Sequence, residues 1–198
     1  EIQRKNHTIL LKELIQSENH AHSMHIKIGF LKGKDLEDVI DTCSQVNLSS
    51  IQPLWTQHTQ ESASKDHSKL LHRLQTKAIT GLKQSKSLWL TDILEPIRIE
   101  DAILKEVNST LIHDDPASLV QLVLDMKGNT HLDDSLSHQI RQVGANLWIG
   151  PEGGLSSLEI NKLLALPRSQ SLSVGDHRLR AKTAPIFILG YLSGQLNR

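Results

Sequence analysis

The sequence of 198 residues contains a single cysteine and no long uninterrupted apolar run. Cys43 cannot form a disulfide within the chain, and so little cysteine is typical of a protein kept in a reducing compartment. No stretch approaches the roughly 20 apolar residues that a membrane-spanning helix needs, and no secretory signal pattern is present. These absences predict a cytoplasmic protein without a membrane segment.

The chain also has no excess of either charge, because 22 Lys and Arg residues balance 22 Asp and Glu residues. Strong nucleic-acid binders usually have a clear basic surface. RNA binding by this chain would therefore require its basic groups to gather on one face, or a further domain to contribute. No His, Cys and Asp residues stand at the spacing of a metal site, so no metal is predicted.

Hydrophobic residues make up 38% of the chain, which is ordinary for a soluble globular protein. Their patterns predict strands that alternate with helices, and hence an α/β domain with a mainly parallel sheet. The predicted strands are 25–31, 51–54, 109–113, 145–149 and 171–174. The predicted helices start at Asp35 as an N-cap, span 67–83, 96–104 and 119–126, and start again after Thr183, with a polar spacer over 129–144.

The first of these helices has an apolar stripe of Leu36, Val39, Ile40, Cys43 and Val46. Cys43 on such a stripe is interpreted as core filler rather than as a nucleophile. The first eleven residues alternate loosely and end in a short apolar run, which predicts a hairpin. A polar stretch over 17–23, with histidines in and beside it, is interpreted as a solvated linker rather than a metal site.

A glycine-rich turn follows the strand predicted over 145–149. Its sequence is Gly150-Pro151-Glu152-Gly153-Gly154-Leu155, and Ser156 and Glu159 then have the spacing of a helix capping box. Glycines and a proline of fixed φ let main-chain groups approach a ligand closely. The order of strand, glycine turn and helix start is typical of a small-molecule site at the carboxyl end of a strand.

A second turn of the same design lies about twenty residues further along the chain. The strand predicted over 171–174 is followed by Gly175, and Thr183 precedes Pro185 as in a helix N-terminus. Leu179-Arg180 and Thr183-Ala184 stand between the turn and the predicted helix.

These two turns together resemble the RsmE family of small-subunit ribosomal RNA methyltransferases, within the SPOUT class. The first turn matches the family pattern throughout, and the second matches at Gly175, Leu179, Arg180, Thr183 and Ala184. The resemblance implies a SPOUT-type parallel sheet with a C-terminal trefoil knot over residues 23–198. Residues 1–22 would be the tail of an N-terminal PUA-like RNA-binding β domain and a linker.

The resemblance also implies S-adenosylmethionine as cofactor, uridine N3 of small-subunit (16S) ribosomal RNA as the methyl acceptor, and a homodimer. The implied cofactor-binding residues are Gly150, Gly153, Gly154, Leu155, Leu172, Val174, Gly175 and Leu179.

Loss of the uridine N3 proton leaves negative charge on the ring carbonyls, which a guanidinium can stabilise. Arg180 is therefore the first candidate for a catalytic residue, with a structural salt bridge as the alternative. Glu152 is interpreted as an acceptor for backbone N–H groups or as a group that acts on the base. Lys32 and Lys34 suit contacts to RNA phosphate, and Gln84 matches a family glutamine that orders the knot loops or meets the target base. Solvated surface roles remain open for all three.

The sequence departs from the family pattern in three places. Lys182 replaces a family Glu beside the proposed site, and Thr42, Gln45 and Asn47 replace the family's Lys, Glu and Gly. Shortly after the second strand, where the family usually has an Arg, this sequence has Gln57, His58 and Thr59. These differences leave two alternatives open: a divergent RNA-binding or ribosome-assembly protein without catalysis, and a SPOUT methyltransferase that acts on another RNA.

Overall fold

The computed structural model describes residues 2–4, 7–9, 23–46, 48–60, 67–112, 118–131, 133–175 and 179–196. The first two of these ranges form a separate antiparallel pair, β1 (Ile2–Arg4) and β2 (His7–Ile9). The hairpin predicted at the start of the chain is therefore confirmed. Most of the linker predicted over 17–23 lies outside the described residues.

Seven further strands form one sheet in which every pairing is parallel. They are β3 (Met24–Gly29), β4 (Ser50–Trp55), β5 (Asp92–Ile93), β6 (Ile97–Arg98), β7 (Val120–Leu124), β8 (Ala145–Ile149) and β9 (Ser169–Leu172). Their order is β5-β4-β3-β8-β7-β9, and β6 pairs with β4. The predicted α/β class with a parallel sheet is confirmed.

The described helices are α1 (Asp35–Cys43), α2 (Ser68–Ser85), α3 (Ile99–Ile112), α4 (Asp134–Val143), α5 (Ser157–Leu164) and α6 (Ala184–Leu196). The capping box predicted at the start of α5 is present, with Ser156 and Glu159 bonded to each other's backbone N–H groups. Within the ranges that the structure describes, no helix is long and apolar enough to cross a membrane.

The middle of the chain differs from the sequence-based expectation. Residues 109–112 form the end of α3, not a strand, and residues 120–124 form strand β7, not part of a helix. Strand β7 is buried on both faces of the sheet, so it has no alternating pattern to separate it from a buried helix. The spacer predicted over 129–144 contains α4, which begins at the N-cap Asp133, whose side chain accepts the Leu136 N–H.

Three predicted boundaries also shift. Helix α1 has Lys34, not Asp35, at its N-cap, without a side-chain cap bond, and Val46 lies beyond the helix and is exposed. Strand β9 begins at Ser169 and ends at Leu172, so Ser173 and Val174 belong to the loop after it. Such end effects reflect caps and tertiary contacts that local patterns do not determine.

One face of the sheet is covered by apolar side chains from α1, α2, α4 and α6. Its core is built around residues such as Ile26, Ile28, Leu122 and Leu147, all fully buried. Cys43 belongs to this core, and burial raises the pKa of its thiol to about 12. A thiol with that pKa stays protonated near neutral pH, which supports its interpretation as core filler.

The other face, under α3 and α5, buries a connected polar network. Lys27 pairs with Glu106 of α3 at 2.9 Å, and Asn146 donates to the second oxygen of the same carboxylate at 2.9 Å. The Trp148 indole N–H donates to Gln121 at 2.8 Å. Burial, and then the nearby Lys27, lowers the pKa of His25, the next polar residue on β3. Mutual hydrogen bonding compensates for burying these groups and attaches α3 to the sheet.

Candidate functional site

A cavity of about 820 Å³ opens at the carboxyl edge of the sheet. Its walls come from the residues that follow β7, β8 and β9, together with the segment 179–184 before α6 and the turn after β3. Ligands in open parallel sheets bind outside the carboxyl ends of the strands, where loops and helix starts meet. Position and size therefore make this cavity the candidate site.

The first loop, residues 150–155, folds tightly upon itself. A Cβ atom built on Gly150 would lie 2.5 Å from the backbone of Gly154 and Leu155, so only glycine fits. Gly154 has φ of +76°, and its N–H donates to the Pro151 carbonyl at 2.8 Å. On its outer side the loop rests on β3, because a Cβ on Gly29 would meet Pro151 at 2.5 Å.

Side chains attach this loop to its surroundings at three points. The Glu152 carboxylate accepts the Lys32 N–H at 2.8 Å, and His58 Nδ1 lies 3.0 Å from the Gly154 carbonyl oxygen. The buried carboxylate of Glu159 accepts the Gln57 N–H at 2.8 Å and the Ser156 N–H at 2.7 Å. The loop is thereby fixed to the turns after β3 and β4 before any ligand arrives.

The second loop, residues 173–184, has fewer attachments among the described residues. Its start is bonded to the segment after β7, where the Ser173 N–H donates to the Thr130 carbonyl at 3.0 Å. Its end turns into α6, with the Thr183 N–H donating to the Arg180 carbonyl at 2.8 Å. Gly175 has φ of +112° and no neighbour within 4 Å of a built Cβ. Residues 176–178 lie outside the described part of the chain.

The structure brings together the eight residues predicted to bind a cofactor, since all of them line the cavity. They contribute main-chain groups and apolar side chains: Leu172 is buried, and Leu155, Val174 and Leu179 are half-buried. Such a lining suits a ligand with a flat ring and a short aliphatic chain, held by backbone hydrogen bonds.

One wall of the cavity was not predicted from the sequence. Leu124, the last residue of β7, and residues 125–127 after it line the cavity together with Asp35 and Ile160. The prediction of a helix over 119–126 hid the fact that a strand ends at Leu124. A correct strand assignment would have pointed to Asp125, because carboxyl ends of neighbouring parallel strands meet at one edge.

Arg180 and Lys182, the two charged residues at the end of the second loop, differ in their contacts. Arg180 lines the cavity and its side chain is exposed. The Lys182 ammonium lies 2.8 Å from the Asp35 carboxylate, which also lines the cavity. The charge reversal at position 182 is thus matched by an acidic partner.

The predicted RNA-binding residues are not brought to one place. Lys32 lines the cavity, whereas Lys34 is exposed at the start of α1 and Gln84 is exposed in the last turn of α2. Helix α2 ends before β5, which pairs with the start of β4, so Gln84 lies toward the amino edge of the sheet. Gln84 therefore takes no part in lining the cavity.

The substituted positions that the structure describes, Thr42 in the last turn of α1 and Gln45 just after it, have local hydrogen-bond partners. The Thr42 hydroxyl donates to the Asp38 carbonyl at 2.9 Å, and the Gln45 amide donates to the Asp41 carbonyl at 3.1 Å. Asn47 lies outside the described residues. Across the described ranges, no three His, Cys, Asp or Glu side chains form a group that would hold a metal ion.

Comparison with known proteins identifies related sequences. The model of the RNA methyltransferase domain matches residues 17–193. The ribosomal RNA small subunit methyltransferase E of Synechocystis sp. is 27% identical over 191 residues, which cover 96% of this chain and 59% of that protein. A relative of the same name from Mesomycoplasma hyopneumoniae is 24% identical over 188 residues, which cover 95% of this chain and 77% of the relative.

A solved structure shows the same fold. The ribosomal RNA small subunit methyltransferase E of Neisseria gonorrhoeae, crystallised with S-adenosyl methionine, superposes with a TM-score of 0.70 at 21% identity. The superposition covers 87% of this chain and 65% of the Neisseria chain. The chain thus spans less than two thirds of the length of the Synechocystis and Neisseria proteins.

Proposed function

Since the chain belongs to the RNA methyltransferase domain family, which matches it from residue 17 to residue 193, we propose that it transfers a methyl group from S-adenosylmethionine to RNA. The relatives named ribosomal RNA small subunit methyltransferase E agree with the resemblance of the two glycine loops to the RsmE family. The acceptor that we propose is a uridine N3 of small-subunit ribosomal RNA.

One observation supports this proposal above the others: two glycine loops, from the ends of β8 and β9 on either side of β7, line a cavity of about 820 Å³. The backbone of the first loop turns back so closely that a side chain at Gly150 would collide with the backbone of Gly154 and Leu155. S-adenosylmethionine would supply an electrophilic methyl group on sulfur. Backbone groups of residues 150–155 and 172–175 would hold it, with Leu155, Leu172 and Leu179 against its apolar parts.

The chain's own residues would mainly position the acceptor, since methyl transfer between two oriented groups needs little further chemistry. Uridine N3 would become nucleophilic on giving its proton to water, and the ring carbonyls would then gain negative charge. Arg180, exposed beside the cavity, would stabilise that charge through its guanidinium. Glu152 would keep the first loop in place through its bond to the Lys32 N–H.

We further propose the finer features that the RsmE resemblance implies: a C-terminal trefoil knot, a homodimer, a cytoplasmic location, and a PUA-like domain ending near residue 22. The close joining of β9 to the segment after β7 supports a knot, because Thr130 bonds to both Ser171 and Ser173. Ile186 and Phe187, exposed by 39% and 50% on α6, support an apolar subunit contact.

Two measurements test this function. Calorimetric titration with S-adenosylhomocysteine, the demethylated cofactor, is expected to show one site per chain. Methylation of small-subunit ribosomal RNA, mapped by base, is expected to give N3-methyluridine. A folded chain that binds no S-adenosylhomocysteine at millimolar concentration would instead indicate a family member without catalysis. Methylation of a different RNA would indicate a methyltransferase with another substrate.

Arg180 can be tested separately from cofactor binding. Arg180→Ala is expected to lower the rate of methyl transfer about 100-fold, the usual effect of losing one group that stabilises transition-state charge. The affinity for S-adenosylhomocysteine should change less than twofold. Arg180→Lys should retain part of the rate, because the charge remains while the planar guanidinium is lost. An unchanged rate in Arg180→Ala would remove Arg180 from the mechanism.

A further inference from the structure

A second cavity, of about 560 Å³, lies beside the first. Its walls are the turn after β3, the first residues of α1, the first two turns of α2 and the tip of the first glycine loop. Lys32 and Glu152 line both cavities. Because the Lys32 N–H donates to the Glu152 carboxylate at 2.8 Å, this hydrogen-bonded pair forms part of the partition between the two cavities.

Aromatic rings support one side of the second cavity. Phe30 and Trp55 stack with ring centroids 5.4 Å apart, and the His67 ring lies 5.6 Å from Phe30 and 5.2 Å from Trp55. Phe30 and His67 line the cavity, and Leu70 adds an apolar surface. The chain has only six aromatic residues, counting Phe, Trp and Tyr, and one of them lines this cavity while a second, Trp55, packs against it. Unstacked bases pack against surfaces of this kind.

Three cations line the same cavity: Lys32 on the turn after β3, and Lys69 and Arg73 on α2. Lys69 and Arg73 stand four residues apart, so they project from one face of the helix. The Arg73 side chain is 62% exposed and lies 3.3 Å from Glu37, which leaves further guanidinium donors available. The two acidic residues at the cavity, Glu37 and Glu152, both have positively charged or N–H partners.

We infer that the second cavity is an RNA-binding site, where one unstacked nucleotide beside the methyl acceptor in the same strand binds. This inference rests on the proposed function. The base packs against His67 and Leu70, and the flanking phosphates contact Lys32, Lys69 and Arg73. A base bound there is separated from the first cavity by the Lys32–Glu152 partition, so it is a neighbour of the acceptor base, which must enter the first cavity to reach Arg180 and the methyl donor.

With this site, a chain whose acidic and basic residues balance can still bind RNA. A chain without an overall positive field needs local cations to bind RNA, and these three cations surround a cavity of nucleotide size. This site also extends the set of predicted RNA-binding residues. Lys32 stays in the set, Lys69, Arg73 and His67 enter it, and Gln84 lies away from it.

The first test compares two charge reversals at exposed lysines. Lys69→Glu removes a cation of the second cavity, and Lys105→Glu makes the same change on α3, on the opposite face of the sheet. The probe is a short single-stranded uridine-rich RNA, measured by fluorescence anisotropy at several salt concentrations. Lys69→Glu is expected to weaken binding about tenfold and to flatten the salt dependence by about 0.7 in slope for each phosphate that the variant no longer neutralises.

In this test both variants should bind S-adenosylhomocysteine with wild-type affinity, because neither lysine lines the first cavity. Equal RNA affinity in Lys69→Glu and Lys105→Glu would overturn the inference, as would a wild-type chain that binds no oligonucleotide. If S-adenosylhomocysteine binds in either case, the proposed function survives. RNA binding that depends on Lys69, without binding of S-adenosylhomocysteine, would contradict the proposed function alone.

A second test locates the RNA directly. The same oligonucleotide with 4-thiouridine at one position is cross-linked to the wild-type chain by light, and the modified peptide is identified by mass spectrometry. Cross-links are expected within residues 67–73 or 30–33, and saturating S-adenosylhomocysteine should not abolish them. Cross-links found only elsewhere, or abolished when the first cavity is filled, would contradict a separate nucleotide site at the second cavity.

Discussion

The two glycine loops that enclose the first cavity are held in different ways. Residues 150–155 are fixed by backbone packing at Gly150 and by side-chain bonds from Glu152, His58 and Glu159. Residues 173–184 have an open glycine at position 175 and an ion pair between Lys182 and Asp35. Among the described residues, the first loop is bonded to the turns after β3 and β4, whereas the second is bonded only at its start and its end.

This difference assigns separate tasks to the two loops. A preorganised loop gains affinity because its ordering entropy has been lost during folding. A loosely attached loop suits a site that must open for a cofactor to enter and leave. Substitutions in the first loop should therefore have larger effects than substitutions in the second.

The largest effect is expected from Gly150→Ala. The new methyl group would lie 2.5 Å from the backbone of Gly154 and Leu155, so the loop must move. We expect roughly 3 kcal/mol of strain, and a loss of about 100-fold in S-adenosylhomocysteine affinity measured by calorimetry. Gly190→Ala is the control, since a Cβ there has no neighbour within 4 Å on α6, and it should leave the affinity unchanged. Wild-type affinity in Gly150→Ala would contradict a tightly packed loop.

The second effect concerns the buried carboxylate behind the first loop. Glu159→Ala leaves the Gln57 and Ser156 N–H groups without their acceptor. Urea unfolding should show a loss of about 2 kcal/mol, and Ser156→Ala, which removes only the cap, should lose about 1 kcal/mol. The affinity for S-adenosylhomocysteine should fall about tenfold in Glu159→Ala, roughly 1.4 kcal/mol. Equal stability of the two variants would show that Glu159 acts only as a cap.

The third substitution repeats the glycine change in the second loop. Gly175→Ala meets no atom within 4 Å, so its only penalty is the φ of +112°. This strain should cost about 1 kcal/mol, which corresponds to about fivefold in affinity. An effect as large as that of Gly150→Ala would show that both loops are equally constrained.

The smallest effect is expected at the ion pair. Lys182→Glu places a second carboxylate near Asp35, where both side chains are partly exposed. Such a pair contributes about 0 to 1 kcal/mol, so the affinity should fall about threefold and recover at high salt. Adding Asp35→Lys to the same chain should restore the affinity for S-adenosylhomocysteine, because the ion pair forms again with its charges exchanged. A failure of this reversal to rescue would show that Lys182 acts on the ligand rather than through Asp35.

The sequence allowed the first loop to be predicted because its signals are local. Gly150, Pro151 and the Ser156–Glu159 spacing determine a turn and a helix start within ten residues. The contacts that hold the loop could not be predicted in this way. Glu152 reaches Lys32 across 120 positions, and Lys182 reaches Asp35 across 147. The parallel pairing of β3 with β8 brings Lys32 to Glu152, and the packing of α6 against α1 brings Lys182 to Asp35.

The errors in the fold have a related cause. The pattern of strand β7 predicts a helix because burial on both faces removes the alternation that marks a strand. That error concealed the cavity wall at Asp125, and with it one side of the site. The polar residues His25, Lys27, Gln121 and Asn146 also gave no local signal of burial, because their partners come from different strands and from α3.

Calorimetric titration of the wild-type chain and of Gly150→Ala with S-adenosylhomocysteine tests most directly whether the two glycine loops form a methyl-donor site. The account predicts saturable binding with one site per chain in the wild type, and affinity about 100-fold weaker, or no detectable heat, in the variant. A correctly folded wild-type chain that gives no binding heat at millimolar S-adenosylhomocysteine, or a variant that binds equally well, would contradict it.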